Sequence, residues 1–428
     1  MAAEILERTL RERLFPLNAE KGRCRVECEA LLPDYKEEAH RVVRVDVKTR
    51  VRNRNLYLQG NRLICDVDGV CTFNFLYLAP EGGEGERLSS YLIQENFSHS
   101  FQTPSPTENL DPDQIPVFVE ISAENVVYKM LGPRKISVRC DLILSLEAKY
   151  GAPFSFYTPL ESGDVKCRSQ KVELNELVCV HREEFSLSET LSLPKAYLSM
   201  GELVDLDAAL YAQKIKAEEG GVSFCGNAAL HCSYISSEDG QIVSFFQPIE
   251  FPGRVGIPRV EENDWIQITL CPNFLKGAVE ANEEGENKNL TVELGYTAEF
   301  AVYRKEEVQI VEDAFSTKNR LLCESEETVL EEICGVCDLN STVRDRFPAE
   351  EVFLRTEHIR CSVEFKNSYF REQKIIVEGR MNYRFLGIRQ NGEVVQVEKE
   401  REFACPVSLE SEILLPQSII STKQVSKD

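Results

Sequence analysis

The sequence predicts an all-β fold of tandem β-sandwich-like repeats, with two full copies and a half copy. Three observations support this prediction. A loose pattern recurs along the 428 residues with a period of about 155 residues. Apolar and polar residues alternate over long segments, which is typical of strands with one buried face. Asp-Gly and Asn-Gly pairs, which favour tight hairpin turns, end at Gly240 and Gly392.

Each copy begins at a proline, and these prolines lie 161 and 154 residues apart. A glycine inside a β-rich run and an aromatic-led segment follow each proline. The recurring motif consists of Pro33, Gly69, Tyr77, Phe97, Pro194, Gly226, Tyr234, Phe251, Gly295, Tyr303, Pro348, Gly379 and Phe403. The spacing predicts a first repeat at 1–165, a second at 166–322 and a partial third at 323–428.

The motif glycines and the aromatic residues after them have different predicted roles. Glycine within a strand weakens it unless a bulge, a bend or a close backbone approach requires the missing side chain. We therefore predict a geometric role for the glycines. A tyrosine follows Gly69, Gly226 and Gly295 by eight residues, and we predict that these tyrosines and Phe385 pack in the core. The shared step also predicts that each repeat contains two related halves.

Alternating segments predict the individual strands in order. The first covers Val43 to Val51, and others open at Phe118, Leu203, Trp265 and Ile359. Each is followed by a charged or turn-prone break and a second apolar run, which predicts a hairpin with a longer second strand. Linkers are predicted at 103–116, at 162–166 and at 323–346, the last with a short acidic helix capped by Ser325.

Charge and composition narrow the classes of partner. The chain has 71 acidic and 49 basic residues and a net charge of −22, which disfavours nucleic acid and anionic membranes. We find no signal peptide and no apolar stretch near the roughly 18 residues of a membrane span, so we expect a cytoplasmic protein without membrane insertion. Its 15 cysteines are expected to be mainly small, reduced core residues.

Motifs for catalysis or cofactor binding are scarce in the sequence. Cys334 and Cys337 form the one CxxC motif, but a structural zinc site needs four ligands and a redox pair is typical of βαβ units. We prefer packing or incidental thiols for this pair and predict no metal or cofactor. The five histidines are dispersed, and no nucleophile elbow or phosphate-binding loop occurs. We therefore expect a protein that is not an enzyme.

The recurring pattern resembles the SPOCS domain of endospore-forming Firmicutes. The resemblance is carried by Val222 to Tyr234, the Ser237–Gly240 turn and Ile249 to Pro258, by Gly69 to Tyr77 with Phe97, and by Gly379 to Phe385 with Gly392. It implies a non-enzymatic scaffold of the spore coat, made in the mother-cell cytoplasm and placed at the forespore surface. The implied partners are other coat or envelope proteins, among them the ATP-driven basement-layer protein, and self-association stays open.

One departure and two alternatives accompany this resemblance. Coat proteins of the family typically end in a LysM module, whereas the residues after Pro416 are too few for one, so we expect docking through the β domains. The first alternative is an envelope-associated or carbohydrate-binding β module unrelated to sporulation. That module would need clustered exposed aromatics, and Trp265 is the single Trp. The second is a hydrolase, which would need a pocket with convergent carboxylates.

Overall fold

The computed structural model describes residues 6–18, 21–81, 85–105, 110–159, 165–316, 346–348, 351–371 and 374–408, and it confirms the all-β fold. The strands are β1 (Leu6–Asn18), β2 (Gly22–Leu31), β3 (Arg41–Gln59), β4 (Arg62–Glu81), β5 (Gly85–Pro104), β6 (Val117–Gly132), β7 (Lys135–Pro159), β8 (Val165–Ser192), β9 (Met200–Glu218), β10 (Gly221–Ser236), β11 (Ile242–Gly256), β12 (Trp265–Ala281), β13 (Asn287–Ser316), β14 (Arg355–Arg371), β15 (Lys374–Ile388) and β16 (Val394–Ser408).

The strands form antiparallel sheets of two kinds. Three are meanders of consecutive strands, which we call the first (β3–β4–β5), second (β9–β10–β11) and third (β14–β15–β16) meander sheets. The other two are cover sheets. In the first, β7 pairs with β6 on one side and with β2 and β1 on the other. In the second, β13 lies between β12 and β8.

Each cover sheet packs on a meander sheet and encloses an apolar core. The first core joins β4 to β7, and the second joins β10 to β13. Residues 2% exposed or less in these cores include Phe73, Phe75, Tyr77, Ile136, Leu142, Leu144, Leu230, Cys232, Tyr234, Leu290, Leu294 and Phe300. The boundary predicted near residue 165 falls between the two cores, while the three domain limits themselves stay predictions.

An aromatic ring covers the motif glycine in every meander sheet. Gly226 pairs with Phe251 across β10 and β11, and a Cβ on Gly226 would lie 2.0 Å from the Phe251 ring. Gly69 pairs with Phe97 and Gly379 with Phe403 in the same way, each beside a β-bulge in the neighbouring strand. Gly295 is covered by Phe274 in the second cover sheet. At each of these four glycines a ring occupies the space that a side chain would need.

The motif tyrosines tie the loop after each proline to the core. Tyr77 and Tyr234 are both fully buried. The Tyr77 hydroxyl donates to the carbonyl of Glu37 at 3.4 Å, and the Tyr234 hydroxyl donates to the carbonyl of Leu198 at 2.7 Å. Each acceptor lies four residues after its motif proline. In the third meander sheet the residue eight positions after Gly379 is Gly387, and the ring of Phe353 covers it. Phe385, two residues earlier, is half-buried and packs edge-on against Phe353.

Three other predictions fare differently. Gly240 and Gly392 adopt φ angles of 69° and 83°, as expected for the two hairpin turns. Tyr303 is buried, but it packs with Leu177 and Ala301 in a small separate cluster, because it lies on the strand face opposite Phe300 and Val302, which face the second core. The linker predicted at 162–166 is wrong in its last two residues, since β8 already begins at Val165.

The structure describes most of the linker predicted at 103–116, but only the last residue of the one predicted at 323–346. The acidic helix capped by Ser325 lies outside the described residues. The linker predicted at 103–116 joins β5 of the first meander sheet to β6 of the first cover sheet, and it contains the short 3-10 turn Pro112–Gln114. Among the described residues no helix has the length and apolar character to cross a membrane.

Candidate functional site

The three meander sheets close into a ring. The last strand of each adjoins the first strand of the next, β5 with β9, β11 with β14 and β16 with β3. A hydrogen bond seals each contact. The backbone N–H of Ser90 donates to Glu202 at 2.9 Å, and that of Ile242 donates to Glu357 at 3.3 Å. Arg41 Nη2 donates to the carbonyl of Val394 at 3.0 Å. We call the region inside this ring the three-sheet junction.

One end of the three-sheet junction is apolar. Leu78, Ile235 and Ile388 each lie nine residues after a motif glycine, on the strand face opposite the motif tyrosine. Each pairs across its hairpin with another apolar residue, and all of these side chains form one buried cluster. Its buried members are Leu76, Leu78, Leu88, Val204, Ile235, Ile242, Leu386, Ile388 and Val394. The cluster therefore draws on three segments that are far apart in sequence.

The centre of the three-sheet junction is charged and buried. Arg44 on β3 is 2% exposed, and its Nε donates to Asp46 at 2.8 Å. Its Nη2 donates to Nδ1 of His358 on β14 at 2.5 Å. The sequence predicts that β3 is buried on its valine face only. That prediction is wrong for Arg44 and Asp46 on the charged face, because the third meander sheet covers these two residues.

Ion pairs connect every pair of meander sheets. Lys48 donates to Asp205 at 2.5 Å and so joins the first sheet to the second. Arg360 on β14 pairs with the same carboxylate and joins the second sheet to the third. Arg384 pairs with Asp46 at 3.5 Å and joins the third sheet to the first. Removal of charges from water is costly unless they are paired, so these contacts specify how the sheets dock.

Burial changes the protonation of the basic groups in the three-sheet junction. Burial lowers the pKa of Lys48 to about 8, although the neighbouring Asp207 opposes this shift. Burial also lowers the pKa of His358 well below its usual value, and the positive charge of Arg44 lowers it further. The His358 imidazole is therefore neutral near pH 7 and can accept the hydrogen bond from Arg44. These contacts hold the three sheets together, and the contact between Arg44 and His358 requires the neutral form of His358.

No protein-family model, curated protein or solved structure matches this chain. Its functional surfaces must therefore be assigned from its own geometry.

In the first two meander sheets, the motif residues predicted from the sequence and the residues of the three-sheet junction lie on opposite faces. Gly69 and Gly226, their covering rings Phe97 and Phe251, and Tyr77 and Tyr234 lie on the sandwich side of the strands, whereas the junction residues lie on the opposite side. Sequence reasoning missed Arg44, Asp205 and His358. A signal was present, because apolar residues recur nine residues after each glycine, where strict sandwich alternation would favour polar ones.

Side chains that could ligate a metal are dispersed over the described strands. The part of the chain that the structure describes contains no cluster of three or more His, Cys, Asp or Glu side chains able to hold a metal ion. The candidates Cys334 and Cys337 lie outside the described residues.

A second buried ion cluster joins the two sandwiches. Glu299 on β13 is 4% exposed and accepts from Arg182 at 2.7 Å and from Arg54 at 3.3 Å. Both arginines also donate to carbonyls near the 3-10 turn, Arg54 to Val117 and Arg182 to Ile115. The two sandwiches are thus fixed by a carboxylate shared between cations from β3 and β8.

One surface depression is lined by several carboxylates next to an ion-pair network. Glu176, Glu219 and Glu261 line it together with Arg304. Arg304 pairs with Glu261 at 2.8 Å and with the buried Asp264 at 2.8 Å. These ion pairs form a structural network that holds the loop before β12 to Arg304 on β13.

The third meander sheet has a partly exposed inner face, which is the face that carries Tyr383 and Phe385. In the first meander sheet this face is covered by a cover sheet, and Phe73, Phe75 and Tyr77 are fully buried there. The corresponding Tyr383 and Phe385 on β15 are half-buried. Large apolar residues on or beside β14 are exposed, namely Val352 at 78%, Leu354 at 68%, Ile359 at 55% and Phe365 at 36%.

Proposed function

We propose that this chain is a non-enzymatic scaffold of spore coat or envelope assembly, related in type to SPOCS-domain proteins. The proposal takes its biological setting from the motif resemblance described above. Its physical support is the exposed apolar surface of the third meander sheet, around Leu354, Ile359 and Phe365. Exposed apolar surface of this kind is typical of sites that bind other proteins.

The three-sheet junction suits a scaffold because it holds this surface rigidly. The third meander sheet docks on the first through Arg44 and His358, and on the second through Arg360 and Asp205. A partner that binds the third sheet is thereby connected to both sandwiches. We propose that the partner is another coat or envelope protein, such as the ATP-driven basement-layer protein at the forespore surface, and that binding occurs in the mother cell.

Imaging of a fluorescent fusion during sporulation tests this function. We expect the full chain to form a shell around the forespore, and deletion of the coat basement-layer protein should disperse the shell. The surface assignment is tested separately with Ile359→Asp, which places a charge on an apolar side chain that is 55% exposed. This variant should fold but fail to form the shell.

Leu92→Asp is the matched control, because Leu92 is 51% exposed but lies on β5 of the first meander sheet. It should localise as the unchanged chain does. Circular dichroism and the midpoint of thermal unfolding would show that both variants are folded. Diffuse signal of the unchanged chain in sporulating cells would refute the spore function. A normal shell with Ile359→Asp would refute the surface assignment alone.

A further inference from the structure

Two buried thiols face each other across the core of the first sandwich. Cys71 lies on β4 of the first meander sheet and Cys140 lies on β7 of the first cover sheet, and they are 0% and 1% exposed. Their sulfur atoms are 3.8 Å apart and share a hydrogen bond. A disulfide needs about 2.05 Å, so a modest adjustment of the two side chains and their strands would join them.

The thiol pair is particular to the first sandwich. Cys71 follows the motif glycine by two residues, and Ala228 has the same place in the second sandwich. Ala228 is 1% exposed and packs in the second core without a thiol. Packing alone therefore does not require sulfur at this place in the fold.

The shared hydrogen bond couples the protonation of the two sulfurs, and either sulfur can be its donor. The contact lowers the pKa of Cys140, whereas the same contact and burial raise the pKa of Cys71. Burial also raises the pKa of Cys28, a half-buried neighbour on β2, to about 11. The thiolate is the reactive form of a cysteine, and whichever sulfur reacts first has the other within 3.8 Å to resolve it.

We propose that Cys71 and Cys140 form an oxidisable pair, and that hydrogen peroxide converts them into a disulfide that bridges the two sheets of the first sandwich. One thiolate of the pair attacks one peroxide oxygen, the O–O bond breaks, and a sulfenic acid forms with release of hydroxide. The other sulfur then attacks the sulfenic sulfur and displaces its oxygen. That oxygen takes the proton of the attacking thiol and leaves as water. The pair loses two electrons and the peroxide gains them, and the second oxygen also ends as water.

The consequence is a covalent lock on the sandwich. A bridge between β4 and β7 closes a long segment of chain, which restricts the unfolded ensemble and favours the folded state. The inference does not depend on the proposed scaffold function, because it concerns the internal chemistry of one sandwich.

Peptide mapping of the full chain tests the proposal. The reduced protein is treated with hydrogen peroxide, its remaining thiols are alkylated under denaturing conditions, and the digest is analysed by mass spectrometry. We expect a disulfide-linked peptide that joins Cys71 to Cys140, together with a higher midpoint of thermal unfolding that dithiothreitol reverses. Recovery of both cysteines in the alkylated form after exposure to peroxide would overturn the proposal, as would a bridge from either one to a different cysteine.

Two variants separate this pair from general thiol oxidation. Cys71→Ala introduces the residue that the second sandwich carries at this place, and it should abolish the peroxide-induced rise in the midpoint. Cys65→Ser is the matched control, since Cys65 lies on the same strand and is 2% exposed. The peroxide response should survive in Cys65→Ser. An equal rise in both variants would also overturn the proposal. If either variant does not fold, the linked peptide of the unchanged chain decides.

Discussion

Arg44 donates a hydrogen bond of 2.5 Å from Nη2 to Nδ1 of His358, a residue 314 positions further along the chain. Both side chains belong to residues that are 2% exposed. Because a guanidinium can only donate, the imidazole must be neutral at this nitrogen. The contact between the first and third meander sheets therefore depends on an uncharged histidine.

Acid should weaken the three-sheet junction. The folded-state pKa of His358 lies well below the unfolded value of about 6.5, so the unfolded chain binds more protons as pH falls through that value. The positive groups that face His358 are Arg44, Lys48 and Arg384, with His231 beside them. We expect the free energy of unfolding to fall below about pH 6.5, with a contribution from His358 that approaches about 1.4 kcal/mol per pH unit.

His358→Gln tests this pH dependence, because glutamine can accept from Arg44 but does not titrate. Urea unfolding at a series of pH values should give a shallower fall in the free energy of unfolding for this variant below about pH 6.5. His40→Gln is the control, since the His40 side chain is 55% exposed and lies outside the three-sheet junction. Identical slopes for His358→Gln and the unchanged chain would contradict the assignment.

The strand pattern could be predicted from sequence because it is local. Alternation across Val43–Val51, the glycines before Tyr77 and Tyr234 and the Asp-Gly turn at Gly240 all act over a few residues. Each correctly predicted a strand, a core residue or a hairpin. These features follow from the two-residue period of a strand and from the φ > 0 preference of glycine.

The three-sheet junction could not be predicted in the same way. The charged face of β3 has the pattern of a solvated face, and its partners Asp205 and His358 lie far away along the chain. Local periodicity carries no information about such long-range docking. The partly exposed face of the third meander sheet was likewise missed, because its sequence has the same apolar pattern as the covered faces of the first two.

A methyl group on Gly226 should clash with Phe251. The added Cβ would lie 2.0 Å from the ring, so the ring or the strand must move. Overpacking of this kind costs about 1–3 kcal/mol, and we expect Gly226→Ala to lower the free energy of unfolding by that amount. Gly256→Ala is the control on β11 of the same sheet, because a Cβ on Gly256 would meet open space, with no contact within 4 Å. Equal stability of the two variants in urea would show that the ring can move freely.

The Tyr234 hydroxyl should contribute more than that of Tyr77. Tyr234→Phe removes a hydrogen bond of 2.7 Å to the carbonyl of Leu198, whereas Tyr77→Phe removes a longer one of 3.4 Å to Glu37. Loss of a well-formed buried hydrogen bond costs about 1 kcal/mol. We therefore expect thermal and urea unfolding to show a loss near this value for Tyr234→Phe and a smaller loss for Tyr77→Phe. The reverse order would show that the turn after Pro33 depends more on its hydroxyl contact than the turn after Pro194.

The carboxylate of Glu299 should be essential to the contact between the two sandwiches. Glu299→Gln leaves Arg54 and Arg182 beside a neutral amide, and an uncompensated charge within a buried contact is costly. We expect a loss of about 3 kcal/mol in the free energy of unfolding, measured by urea unfolding. Glu307→Gln is the control, because its pair with Lys171 is exposed and such pairs contribute little. If both variants unfold at the same urea concentration as the unchanged chain, Glu299 does not hold the sandwiches together.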